Sequence, residues 1–175
     1  NGIAIKNYYN VPSNFAGGWD QQNAVALQMT LGTTDKSVMV YGTGGSLMNP
    51  VVGLDVAGHE YSHLIINRNG NGGLNYQGES GALNESFADM FGASIEFYAN
   101  INPNWTIGEG IMKPVVTPAY MRNMSNPNAA SADYGLRQPD TYRGTYWAST
   151  TSQEDYGGVH TNSGVSNFWF YLLSD

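Results

Sequence analysis

Apolar and polar positions change their period several times along the chain. Ile3-Ala-Ile-Lys-Asn-Tyr-Tyr9 is β-rich, and Ser37-Val-Met-Val-Tyr41 reads as a short strand ended by Gly42-Thr-Gly-Gly45. Residues 1 to about 52 are therefore expected to form strands and loops. Val52, Val56, Ala57 and Ile65 then recur at helical spacing. They predict a helix from about Val51 to Asn67, ended by Asn67 and Gly70. A Gly/Asn loop over 68–78 follows. A second helix is expected from Ser80 to about Ala99, with a broad apolar surface of Leu83, Phe87, Met90, Phe91, Ile95 and Phe97. Residues 100–157 are irregular and hold most of the prolines. A third helix is expected from near Asn162, still running at Asp175. Its segment Phe168-Trp-Phe-Tyr-Leu-Leu173 is strongly apolar, and a helix this apolar needs a partner. The expectation is a fragment cut inside that helix, with a truncated start as well. No internal repeat is visible.

Composition narrows the function classes. Charged residues are only 12% of the chain against 41% hydrophobic, with a net charge of −7. No basic stripe exists to neutralise phosphates, so nucleic acid is excluded as the expected partner, and an anionic membrane surface is equally disfavoured. No apolar run approaches the length of a membrane-spanning helix. The chain has no cysteine, so bound metal, not disulfides, is the expected source of extra stability.

The three histidines carry the chemistry. Two lie in His59-Glu60-Tyr61-Ser62-His63, and the third is in Gly157-Gly-Val-His160-Thr-Asn-Ser-Gly164. On a helix, His59 and His63 share one face and both can reach one metal ion, with Glu60 beside them to act on a water. A catalytic zinc takes three protein ligands and leaves one position open. Glu85 is the candidate third ligand, and Asp89 shares its helix face. One carboxylate can bind the metal while the other accepts a hydrogen bond from a ligating imidazole. Two blander readings compete: a pair of surface histidines, and a closed structural zinc site. The second is disfavoured because structural sites are usually cysteine-rich.

His59-Glu60-Tyr-Ser-His63 followed by Gly81-Ala-Leu-Asn-Glu85-Ser-Phe-Ala-Asp89 resembles the thermolysin family of zinc endopeptidases. The resemblance covers about residues 38–175 through further motifs in order. These are Met39-Val-Tyr-Gly42, Asn75-Tyr76-Gln77, Phe97 to Glu109, Met121-Arg122-Asn-Met-Ser-Asn-Pro127 and Asp155-Tyr-Gly-Gly-Val-His160-Thr-Asn-Ser-Gly164. It implies an α+β zincin. Residues 1–70 would be a β-rich N-terminal subdomain ending in the zinc helix. Residues 71–175 would be a partial α-helical subdomain, truncated at its C-terminus, with a second ligand helix.

The resemblance also implies roles. His59, His63 and Glu85 would hold one catalytic zinc, with Asn84 and Asp89 as hydrogen-bond partners of the zinc histidines. Glu60 would be the general base, His160 and Tyr76 the oxyanion donors, and Asp155 the partner of His160. Arg122 would hold a substrate carbonyl. Val56, Ile107, Ile111 and Met121, with Leu47 a weaker fit, would line a pocket preferring a large hydrophobic residue on the leaving side. Asp55, Glu96, Asn102 (through its backbone carbonyl), Asn104 and Glu109 would bind one calcium. Asn104 and Thr106 stand where the family has acidic residues, which disfavours a two-ion site. The family's substrate-pairing strand shows Asn-Ala before two aromatics. Its nearest match, Asn23-Ala24-Val25-Ala26, is several residues out of register with Tyr41.

The expected protein is a secreted, monomeric zinc endopeptidase acting on proteins or peptides, made as a zymogen with a removed propeptide and completed by the missing remainder of its chain. The competing readings are a zinc- and calcium-binding fragment without activity of its own, and an aminopeptidase. The aminopeptidase's amine-binding glutamate motif is not found.

Overall fold

In a computed structural model the chain is described over residues 4–15, 18–31, 34–68, 73–129 and 136–174. Gly70 and Asp175 lie outside these residues. Strands β1 (Lys6–Val11), β2 (Ala24–Leu31) and β3 (Thr34–Gly42) come first. Helices α1 (Leu54–Arg68) and α2 (Gly78–Ala99) follow. Short strands β4 (Thr106–Ile107) and β5 (Arg122–Asn123) pair with each other, and helices α3 (Asp155–Asn162) and α4 (Gly164–Ser174) come last.

The three-stranded sheet has the order β1-β3-β2, with β1 parallel and β2 antiparallel to β3. β3 is longer than its apolar run predicts because both its edges are paired. It is buried over residues 39–42, as a central strand should be. The β2–β3 pairing sets Ala24 opposite Tyr41. Asn23-Ala24 therefore lies beside Tyr41 and Gly42 at the open end of this hairpin.

α1 begins three residues later than its periodicity suggests. The Val51 amide donates to Gly42 O and the Asn49 amide to Ile111 O, so tertiary bonds hold this backbone until Gly53. Val52, expected in the helix, lies before it and is 49% exposed. α1 crosses α2 through two glycines. A Cβ on Gly92 would sit 2.6 Å from Asp55 O, and one on Gly58 would sit 2.7 Å from Ile95 Cδ1. That close approach lets side chains from both helices meet.

α2 is turned opposite to what its apolar residues suggest. Asn84, Glu85, Ser86, Ala88 and Asp89 are buried, whereas Leu83, Phe87, Phe91 and Phe97 are each more than 40% exposed. Polar side chains with partners to meet have taken the inner face. Trp169, Leu172 and Leu173 of α4 are also exposed. The main core joins Met39, Tyr41, Met48, Val56, Leu64, Ile111 and Met112 beneath the sheet, and a smaller one joins Met90, Ala93, Ile107 and Met124.

The third helical region opens at Asp155, but ordinary right-handed helix begins only after Gly158, a few residues ahead of the start expected near Asn162. Asp155, Tyr156, Gly157 and Gly158 all have positive φ, between 48° and 81°. They form a left-handed turn that no apolar period can announce.

Candidate metal centre

α1 carries His59 and His63 one turn apart, and α2 carries Glu85 against them. His63 Nε2 lies 3.0 Å from His59 Nε2. Glu85 oxygens lie 3.3 Å and 3.4 Å from the two Nε2 atoms. A tetrahedral ion with bonds near 2.0–2.1 Å would separate its ligand atoms by roughly 3.3 Å. The other ring nitrogens are engaged: His59 Nδ1 with Asp89 Oδ1 at 2.8 Å, and His63 Nδ1 with Asn84 Oδ1 at 2.7 Å. Both rings are thereby turned to present Nε2 to one point. Glu85 Oε2 is buried with no hydrogen-bond partner. An orphaned carboxylate oxygen between two imidazoles is an unstable arrangement unless a cation completes it. The residues fit a zinc ion.

Charges around this point are strongly coupled. Burial opposes the charged form of His59, but Glu85 and Asp89 outweigh it and raise its pKa to about 10. Burial, then the charge on His59, lowers His63 to about 4. Burial opposes ionisation of Glu85 too, but His160 and His59 hold its pKa well below the usual carboxylate range. Asp89 is wholly buried; Arg122, ahead of His59, overcomes that burial and lowers its pKa. Arg122 donates from Nε to Asp89 Oδ2 at 2.8 Å and from Nη2 to Oδ1 at 2.6 Å.

Glu60 is 8% exposed and lines a cleft of about 770 Å³ together with His59, His63, Tyr76, Glu85 and His160. Burial raises its pKa, and the Ala26 amide donates to it. Across the cleft the Tyr76 hydroxyl donates to Glu85 Oε1 and lies 3.3 Å from His160 Nε2. Asp155 holds His160 twice, at its backbone amide (3.0 Å) and at Nδ1 (2.5 Å). Burial disfavours the imidazolium, but Glu85 and Asp155 raise the His160 pKa.

Two family models match this sequence: the thermolysin metallopeptidase catalytic domain over residues 6–67 and the thermolysin metallopeptidase α-helical domain over residues 72–175. The chain belongs to the thermolysin family. Membership extends below residue 38 to residue 6. A bacillolysin from Bacillus caldolyticus is 49% identical over 140 residues, 79% of this chain and 24% of that protein. A thermolysin from Alicyclobacillus acidocaldarius subsp. acidocaldarius is 48% identical over 140 residues, 79% of this chain and 23% of that protein. Among solved structures, the precursor of protealysin, a metalloproteinase from Serratia proteamaculans, matches with a TM-score of 0.67 and 35% identity. That match covers 77% of this chain and 43% of the other. The chain thus spans about a quarter of the length of the curated relatives it matches.

Not every residue expected at the thermolysin-like site lies there. Val56, Ile107, Met121 and Arg122 line the cleft. Ile111 does not; it is 2% exposed inside the main core, with Leu47 packed against that core. Its carbonyl is tied to the Asn49 amide, which turns the segment inward.

Asp55, Glu96 and Glu109 assemble a second group, with one oxygen from each within 4.8 Å of the others. Glu96 Oε2 is also buried without a hydrogen-bond partner. Asn102 and Asn104 meet this group differently from expectation. Both donate side-chain N–H to Glu109 Oε1, at 2.9 Å and 2.8 Å. Asn104 Oδ1 is occupied by the Thr106 amide and hydroxyl, and the Asn102 carbonyl by Asn104. The structure brings three carboxylates together here, not five ligands.

This group makes a pH prediction. Burial, then Asp55 and Glu109, raises Glu96 to about 7. A raised carboxyl pKa means the folded state binds the proton more tightly. Its contribution to stability is therefore full below the ordinary value of 4.5 and lost as pH rises through about 7. With divalent cations chelated, thermal melts should show a lower midpoint at pH 8 than at pH 5.5. Glu96→Gln should remove that part of the fall; equal slopes for both proteins would refute the coupling.

Sequence reasoning missed Asn167. It donates to Asp89 Oδ2 at 2.8 Å and accepts from the Ser86 hydroxyl, also at 2.8 Å. An amide side chain in a mostly apolar helix was the available signal. Gln138 was missed too; it donates to His160 O at 2.7 Å from an irregular segment without a signal.

Proposed function

We propose that this chain carries the zinc centre of a secreted endopeptidase that cleaves peptide bonds before large hydrophobic residues. The observation that supports this best is the convergence of His59 Nε2, His63 Nε2 and the orphaned Glu85 carboxylate. Glu60 stands on one side of that point, and the Tyr76–His160 pair on the other. Zinc, when bound, polarises a carbonyl and lowers the pKa of water toward about 7. Glu60 takes the proton of the attacking water and delivers it to the leaving nitrogen. Its burial favours holding that proton in transit. Tyr76 and His160 donate to the carbonyl oxygen as it gains charge. Asp155 accepts from His160 Nδ1–H and favours the imidazolium, whose Nε2–H then faces the cleft as a donor. Arg122 holds a substrate carbonyl at the leaving side while Asp89 fixes its plane. The apolar leaving-side pocket consists of Val56, Ile107 and Met121. Asp55, Glu96 and Glu109 hold one structural calcium; oxygen donors suit that ion.

A second reading has its own support. The chain spans a quarter of its relatives' length and leaves large apolar faces of α2 and α4 exposed. It is a zinc- and calcium-binding piece that turns over only with the rest of its protein. Among the described residues, no helix is long and apolar enough to cross a membrane.

Metal removal decides between them. Chelation should abolish hydrolysis of a quenched fluorogenic peptide, and one equivalent of zinc should restore it. Stoichiometric zinc binding without any turnover would favour the second reading. No zinc binding at all would refute both.

A further inference from the structure

Tyr156 takes no part in the chemistry above, yet its conformation is costly. It has φ 48° and ψ 38°, the left-handed region that bulky side chains avoid. Its neighbours have reasons to be there: Asp155 holds His160, while Gly157 and Gly158 suit the region. Strain at such a position often marks a function. Tyr156 is 60% exposed and lines the cleft, and its ring stands edge-on to Tyr76 with centroids 5.5 Å apart.

Contacts fix its place along the cleft. Arg122 touches Asp89, Asp89 touches His59, and His59 touches His63; the His63 ring then meets Tyr76, and Tyr76 meets Tyr156. Tyr156 thus meets the metal-binding histidines from the Tyr76 side, whereas Arg122 meets them from the Asp89 side. Ala24, Val25 and Ala26 of β2 also line this cleft. Asn23 O bonds to the Gly42 amide, so in the antiparallel alternation the Ala24 and Ala26 backbone groups face away from β3.

We propose that Tyr156, with Tyr76, forms a subsite on the acyl side of the scissile bond that takes an aromatic side chain, and that Tyr156 sets this preference. The inference rests on the peptidase reading for its direction along the cleft. Edge-to-face aromatic contact supplies the selectivity, and the strained backbone aims the ring.

The test uses the zinc-loaded chain and two N-acetyl dipeptide amides, one with Phe and one with Gly at the varied residue. Calorimetry should show the Phe compound binding about three- to tenfold more tightly. Tyr156→Phe should keep that ratio and Tyr156→Asn should lose it. Asn tolerates the left-handed backbone, so Tyr156→Asn should also melt higher, by ~2–4 °C. Equal binding of the two compounds, or a ratio untouched in Tyr156→Asn, overturns the proposal. A lower melting point with the ratio intact does so too, marking a packing ring. Cleavage of quenched peptides differing only at acyl-side residues separates the two readings. A chain that selects the aromatic compound but hydrolyses nothing keeps the subsite and loses the peptidase reading. A chain that hydrolyses peptides without regard to an acyl-side ring does the reverse.

Discussion

Glu60→Gln should remove peptide hydrolysis while leaving zinc in place. Gln matches Glu in shape but cannot take a proton from water, and general-base catalysis contributes about 10²- to 10⁴-fold. The group of His59, His63 and Glu85 does not include Glu60, so zinc stoichiometry should stay at one. Folding should survive as well. Burial already pushes Glu60 toward its neutral form, which an amide imitates. The measurement is kcat on a fluorogenic peptide beside zinc content by atomic absorption. Near-normal turnover in the variant would rule out Glu60 as the base. Lost zinc would mean that the loss of activity says nothing about proton transfer.

Asp89→Ala should have the largest effect on stability. Asp89 is 0% exposed and accepts from His59, from two nitrogens of Arg122 and from Asn167. Its removal takes away the carboxylate that the guanidinium of Arg122, itself 5% exposed, grips through two nitrogens. Breaking one partner from a buried ion pair costs about 3–5 kcal/mol. Loss of the His59 Nδ1 partner should also weaken zinc binding, by about 10- to 100-fold. Asn84→Ala is the comparison: it removes the partner of His63 but strands no charge, so zinc affinity should fall with a smaller loss of stability. Urea denaturation with zinc titration of each variant checks both effects. Equal urea midpoints for Asp89→Ala and the parent chain would show that the network contributes little.

The Asp89 network shows how far the sequence could be read. Helical spacing alone puts His59 and His63 on one face, and Glu85 and Asp89 on another, because a helix turn brings residues four apart together. The two helices, the β-rich start and the zinc-ligand candidates were therefore legible. Asn167 was not, because it reaches Asp89 from a helix far along the chain. That the apolar face of α2 turns outward was not legible either, for a related reason. Periodicity reports that a helix has two faces, but partners elsewhere choose which one is buried. Ile111 looked like a pocket residue by motif position, and packing made it core. Asn104 looked like a cation ligand, but its amide N–H turns to Glu109 and to the backbone carbonyl that Asn102 was expected to offer.

The sequence by itself determined the local geometry: which side chains share a helix face, where helices can run, and which residue types can hold a metal. Only the tertiary structure decided the pairing of Ala24 with Tyr41, the left-handed turn that aims Tyr156, and the single point where α1 and α2 present their ligands. Those features depend on contacts between residues distant in sequence, whose energy no local period records.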